Sequence, residues 1–298
     1  MTLSIRPANP ARPDFVGEVS GVDIRAGVGP AEAAAIEDGM DRYGVLVFRG
    51  QEIDDAQQIA FSRHFGPLEL ATGDIVQGQA RRLSMEVNDI SNLHQDGSVM
   101  ARDDRKRLFS LGNMLWHSDS SFKATPAKYS MLHGRVVPPN GADTEFADMR
   151  AAWDALDPAM QAQIRDLVTE HSLIYSRGSM GFEEYTPEEK LAFAPVRQRL
   201  VRWHPGSQRH SIYLSAHIGQ ILGWPRPEAM MLIRNLTEFA TQRAFVYAHQ
   251  WRQWDLVMWD NRTTMHRARP FDDKRFPRDM RRVTLTDVAP TLEQQMAA

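Results

Sequence analysis

The chain contains no cysteine. Disulfides, thiolate zinc sites, iron–sulfur clusters and cysteine nucleophiles are excluded together, so a metal site has to be built from His, Asp or Glu. Long apolar runs are missing too: no stretch approaches the roughly 18 residues of a membrane span. Met1-Thr2-Leu3-Ser4-Ile5-Arg6 lacks the apolar core of a signal peptide. A cytoplasmic protein with no membrane partner is expected. Nor is there an excess of positive charge. Lys and Arg number 35 against 38 Asp and Glu, a formal net charge of −3. That balance argues against a general nucleic-acid binder but leaves room for a local basic pocket. A Gly-rich phosphate loop, a Gly-x-Ser-x-Gly nucleophile elbow and a His-Glu-x-x-His zinc motif are also absent.

What is present is the composition of a folded protein, 42% hydrophobic and 24% charged over 298 residues. No composition shift marks a domain boundary, and one domain over 1–298 is expected. Pro30 to Tyr43, closed by Gly44, reads as an amphipathic helix, with Val45 to Phe48 a buried strand after it. Residues 67–112 have weak periodicity and many polar residues, the profile of a binding segment or lid. The second half alternates strand-like runs with short turns: Tyr129 to Val137, Asp143 to Phe146, a hairpin around Pro205-Gly206-Ser207, then Ala244 to Gln250, Leu256 to Trp259, Thr263 to Arg267 and Arg282 to Thr286. Helices are expected over 148–156, 158–168 and 227–241, and the tail from Pro290 is read as frayed. The pattern predicts a mainly β fold with peripheral helices, an antiparallel barrel or double-sheet jelly roll.

Trp116-His117-Ser118-Asp119 is the first candidate for chemistry. In an extended segment, residues two apart face the same side, so His117 and Asp119 present an imidazole and a carboxylate together. His266, within Trp259-Asp260-Asn261-Arg262-Thr263-Thr264-Met265-His266-Arg267, supplies a third ligand. Two His and one carboxylate form a facial triad with open positions, the donor set of non-haem Fe(II) oxygenases. The competing reading is a buried His bonded to a neighbouring carboxylate. A second copy, His94-Gln95-Asp96, lies in a polar run and reads as a solvated loop. The basic cluster Lys274, Arg275, Arg278, Arg281 and Arg282 is either a solvated face or a carboxylate pocket. His217, after the run Tyr213-Leu214-Ser215, is placed to line a pocket; the other histidines read as structural or surface residues.

Together these residues resemble the taurine dioxygenase family of Fe(II)/2-oxoglutarate-dependent dioxygenases. Tyr43-Gly44-Val45-Leu46-Val47-Phe48-Arg49-Gly50 and Phe65-Gly66-Pro67-Leu68 fit the same family. Within it the chain looks most similar to the alpha-type 2,4-dichlorophenoxyacetate dioxygenases, on Leu115 to Phe122, Thr144 to Ala152 and Tyr175-Ser176-Arg177-Gly178. The resemblance implies a double-stranded β-helix, with Fe(II) held by His117, Asp119 and His266, 2-oxoglutarate as co-substrate, and O2. Thr144 and Arg278 match the residues that hold 2-oxoglutarate. Arg282 matches a second Arg near co-substrate and substrate. Asn113, Ser120 and His217 fall beside the substrate.

A taurine-type sulfonate grip needs a His shortly after Phe-Gly. Here that stretch is Pro67-Leu68-Glu69-Leu70-Ala71, which suits an aromatic substrate better. The implied reaction is hydroxylation of the ether-adjacent carbon of an aryloxyacetate. The same chemistry on a sulfonate, an alkyl sulfate or a cinnamate-like acid is the alternative. A non-catalytic jelly-roll ligand-binding protein is the alternative of another class. The resemblance also implies a homo-oligomer, and the long irregular region is expected to supply a substrate lid within 72–112.

Overall fold

A computed structural model of the protein describes residues 2–71 and 81–296. Its largest element is an eight-stranded sheet. The path runs Ser4–Pro7, Gly17–Ser20, Val45–Phe48, Leu256–Asp260, Ala127–Val136, Asp279–Thr286 and Leu68–Glu69, with Asn88–Asp89 also pairing to Asp279–Thr286. A three-stranded sheet, Val246–His249, Thr144–Asp148 and Thr264–Ala268, carries the second half of the fold. A further sheet of Ile218–Ile221, Val168–His171 and Val196–Arg199 and the hairpin Val201–His204/Arg209–Ile212 complete it. The sheets do not close into a barrel; they form the open double-sheet arrangement of the expected jelly roll.

Side-chain alternation along the strands explains the layering. In Leu256–Asp260, Leu256 and Met258 pack with Ile36, Met40 and Phe61 of the helices Pro30–Tyr43 and Asp55–Ser62. Val257 and Trp259 point the other way, against Phe146 of the smaller sheet. Both faces of the strand are therefore covered, which is why all five residues are buried. The outer face of the smaller sheet is covered in turn. Ala147 and Met265 pack with Leu232, Ile233 and Leu236 of the helix Arg226–Ala240.

The helix Pro30–Tyr43 begins at Pro30 and ends on Gly44 in the left-handed conformation (φ 68°). That residue turns the chain directly into Val45–Phe48. The Gly44 carbonyl also accepts from the Asp260 amide at 2.9 Å, tying this turn to the end of the central strand.

Several elements depart from the sequence expectation. Ser4–Pro7, Val168–His171, Val196–Arg199 and Ile218–Ile221 are strands of four residues that no local pattern marked. The tail is not frayed at Pro290. Thr291 is buried and its hydroxyl donates to Gln198, while Gln294 bonds Arg202 and Asp287. Of the expected lid, 72–80 lie outside the described residues. The remainder holds the helix Arg105–Ser110 and the short strand Asn88–Asp89. Among the described residues no helix is long and apolar enough to cross a membrane.

Candidate metal centre and its two cavities

His117 and His266 face each other across the fold through a pair of backbone hydrogen bonds. The His117 amide donates to the His266 carbonyl at 3.0 Å, and the His266 amide donates back at 2.9 Å. The two imidazoles are consequently side by side, ring centres 4.2 Å apart. Two residues on from His117, Asp119 points to the same side. Ser118 points the opposite way and donates to the Leu214 and Thr264 carbonyls. The predicted alternation therefore holds, and His117, Asp119 and His266 converge with their ligand atoms all within 4.8 Å of one another.

The donors are prepared for a cation. The His117 Nδ1–H donates to the Leu115 carbonyl at 2.7 Å, which leaves the Nε2 lone pair facing Asp119. The two Nε2 atoms stand 3.8 and 3.7 Å from the Asp119 oxygens, too far for hydrogen bonds. Burial pushes both imidazoles below the ordinary histidine value, so they are neutral ligands. Burial alone would raise the Asp119 carboxyl. Arg282, the two histidines and a Ser130 hydrogen bond outweigh it and hold Asp119 down at about 2. Two neutral nitrogens and one ionised carboxylate on one side of an open cavity are the donor set of a facial triad. The buried residues present fit Fe(II).

A network not read from the sequence orients Asp119. Ser130 Oγ donates to Asp119 Oδ2 at 2.7 Å, and Asn261 Nδ2 donates to Ser130 Oγ at 3.0 Å. Asn261 Oδ1 accepts from both the Asp119 amide and Trp259 Nε1, each at 3.0 Å. Arg282 Nη1 makes a short charge-assisted bond to Asp119 Oδ1. The Trp259-Asp260-Asn261 run was conspicuous in the sequence, but its role is visible only when the strands are assembled.

Two cavities meet at this centre. They share Asn113, His117 and Arg282, with Ile90 and Ser110. The first lies on the His266 side and is lined by Thr144, Trp259 and Arg278. Thr144 Oγ1 accepts from Trp251 Nε1 at 3.0 Å, leaving its own proton free to donate. Arg278 is only 7% exposed. Its backbone amide is held by Asn92 Oδ1 at 2.8 Å, and its Nη1 donates to the Ile90 carbonyl at 3.2 Å. No carboxylate pairs with it among the described residues, and burial pushes its guanidinium down to about 10. The basic cluster has thus split along the strand. Arg278 and Arg282 face the site, Arg281 pairs with Asp279 and Asp55 on the other face, and Lys274 and Arg275 are exposed.

The second cavity lies on the Asp119 side. Phe109, Phe122, Leu173, Arg177 and His217 line it. Ser120 also lines it, but its hydroxyl is committed to Glu69 at 2.7 Å. His217 is buried, 5.0 Å edge-on from Phe122, with Nδ1 at 2.9 Å from Ser176 Oγ. Burial drives its imidazole well below the ordinary value, with Arg177 adding to the effect. The His94-Gln95-Asp96 copy takes no part: Asp96 binds Ser98 in its own turn.

Comparison with known proteins agrees with this geometry. The model of the taurine catabolism dioxygenase TauD, TfdA family matches residues 4–284. The alpha-ketoglutarate-dependent 2,4-dichlorophenoxyacetate dioxygenase of Cupriavidus pinatubonensis is 46% identical over 282 residues, 95% of this chain and 98% of that protein. The (S)-phenoxypropionate/alpha-ketoglutarate-dioxygenase of Delftia acidovorans is 35% identical over 94% of this chain and 93% of its own length. Among solved structures, AAD-2 in complex with Mn(II) and N-oxalylglycine superposes with a TM-score of 0.89. It is 53% identical, over 99% of this chain and all of that one (100%).

Proposed function

The chain belongs to the TauD/TfdA family of 2-oxoglutarate-dependent dioxygenases, and from that premise we propose that it hydroxylates the ether-adjacent carbon of an aryloxyacetate such as 2,4-dichlorophenoxyacetate. The hemiacetal formed collapses to a phenol and glyoxylate, while 2-oxoglutarate and O2 give succinate and carbon dioxide. The reading is supported above all by one coincidence. A buried His117/Asp119/His266 cluster stands where two cavities meet, and one of those cavities contains a buried guanidinium, Arg278, with no carboxylate partner among the described residues.

His117, Asp119 and His266 would hold Fe(II), which with 2-oxoglutarate and O2 supplies the oxidation when bound. The protein's own part is placement and charge. Arg278 offers a guanidinium fork to the far carboxylate of 2-oxoglutarate, and Thr144 offers it a hydroxyl proton. Arg282 neutralises one Asp119 oxygen while Ser130 fixes the other, so the carboxylate keeps one orientation. Asn113 lies on the wall common to both cavities and would stand between co-substrate and substrate. The aryl ring is assigned to the second cavity, where Phe109, Phe122 and Leu173 offer it an apolar patch on an otherwise polar wall. The same reading carries a cytoplasmic location and a homo-oligomeric state, the latter checked by sedimentation.

The test is anaerobic loading with Fe(II) and 2-oxoglutarate, followed by admission of O2 with 2,4-dichlorophenoxyacetate, a phenoxypropionate, cinnamate or taurine. Phenol and succinate in equal amounts from the aryloxyacetate are expected. Succinate driven only by another acid would overturn the substrate and keep the chemistry.

A further inference from the structure

The second cavity contains a cation that the reaction described so far leaves unused. Arg177 is 5% exposed, yet no carboxylate pairs with it among the described residues. Its Nε donates to the Phe109 carbonyl and its Nη1 to Ser176 Oγ, both at 3.1 Å. A guanidinium has five N–H donors, so most of its donor capacity has no protein acceptor. Its seat is built for it. The group lies over the Phe109 ring, 4.7 Å from the centroid. On another side it abuts Gly112, where a Cβ would stand 2.3 Å from Arg177 Cζ. Any side chain at position 112 would displace the guanidinium. Burial pushes Arg177 down to about 10, which leaves it charged at neutral pH. A buried charge without a counter-ion is costly, and an anionic ligand removes that cost.

The neighbouring groups do not compete for an anion. Ser176 donates its single hydroxyl proton to the Leu173 carbonyl at 3.0 Å. Its oxygen therefore accepts from Arg177 and from His217 Nδ1. His217 accordingly carries its proton on Nδ1 and keeps a lone pair on Nε2, which does not attract a carboxylate. The other cations of this cavity wall are engaged: Arg282 spends Nη1 on Asp119, Arg82 pairs with Asp89 and Asp279, Lys106 with Asp89 and Arg105 with Glu189, and Arg81 donates to the Leu83, Ser84 and Val87 carbonyls.

We propose that Arg177 anchors the substrate carboxylate, taking the anion on its Nη1–Nη2 edge while the aryl group packs against Phe122 and Leu173 of the second cavity. The inference rests on the aryloxy-acid reading above and gives that reading its charge selectivity. Oxidation then requires an acid, and a neutral aryl ether of the same shape is rejected at binding.

The experiment is calorimetric titration of the full-length protein with phenoxyacetate and with 2-phenoxyethanol, in the presence of Fe(II) and 2-oxoglutarate without O2. The wild type is expected to favour the acid by at least about 30-fold, and Arg177→Gln to bring the two within about threefold. Affinity for 2-oxoglutarate is expected to stay unchanged in Arg177→Gln, which separates anchoring from a general structural role. Arg177→Lys keeps part of the preference. Should Arg177→Gln fail to fold, Gly112→Ala displaces the guanidinium without removing it and is expected to erase the preference equally. A wild type that binds acid and alcohol alike, or a folded variant with the preference intact, overturns the proposal. Phenol release on admitting O2 is scored separately in the wild type. Its absence overturns the reaction assigned above, while the acid-to-alcohol ratio still reports on Arg177.

Discussion

The two cavities that meet at His117 are built in different ways. The first is a product of the sheets. Thr144 and Ala268 pair directly across two strands, and Arg278 stands at the start of the long strand Asp279–Thr286. The second takes more of its wall from short helices, Arg105–Ser110 and Leu173–Gly178, while the turn Leu111–Met114 borders both. Each contains one buried arginine free of any carboxylate partner among the described residues. Regular strands fix a side chain by register, whereas short helices and loops vary at little cost to the fold. On the proposed reading, the contrast separates holding the co-substrate from choosing the molecule to be oxidised.

The largest effect that tests this division acts on both cavities at once. His117→Ala or Asp119→Ala is expected to abolish succinate formation with every substrate while the circular dichroism of the fold is retained. Substantial turnover in either variant would remove the triad assignment. Next in size is Arg278→Ala. Removing a buried charged partner costs about 2–5 kcal/mol, so the KM for 2-oxoglutarate is expected to rise by well over tenfold. The preference for acid over neutral ether, assigned to the other cavity, should stay unaltered. A parallel loss of that preference would show that the cavities are not separable. The smallest effect is expected for Ser130→Ala, which frees one Asp119 oxygen without touching either cavity. Outer contacts of metal ligands are worth about 10–100-fold in metal affinity, and Fe(II) titration followed by activity reads it. Here kcat at limiting iron should fall and both KM values should hold.

Legibility in the sequence follows the same division. The central strands were readable because apolar runs such as Val45–Phe48 and Leu256–Asp260 are bounded by turn residues and buried on both faces. Val196–Arg199, reading Val-Arg-Gln-Arg, is a strand only because Val168–His171 pairs with it. Nothing local marks it, and tertiary pairing decides. In the site, spacing and alternation singled out His117, Asp119 and His266 as candidates beside a second His-x-Asp copy at His94, and family resemblance chose between them and added Thr144 and Arg278. Arg177 lies in one of the stretches that carry the resemblance, but no role was attached to it there. Its seat is assembled from Phe109 and Gly112, distant in the chain, and a lone arginine in the short run Tyr175 to Gly178 looks like any solvated residue. Ser130 and Asn261 were hidden for the same reason: each becomes meaningful only through the hydrogen bonds that join separate strands at Asp119.

The reciprocal backbone bonds between His117 and His266 carry a consequence for biosynthesis. A ribosome delivers His117 well before His266, which belongs to one of the last strands of the chain. Until that strand has emerged and docked, the nascent polypeptide has only two of its three donors, and those two lack the fixed orientation that the facing strand imposes. The complete donor set therefore exists only once that strand has docked, and a product truncated before it lacks the third donor.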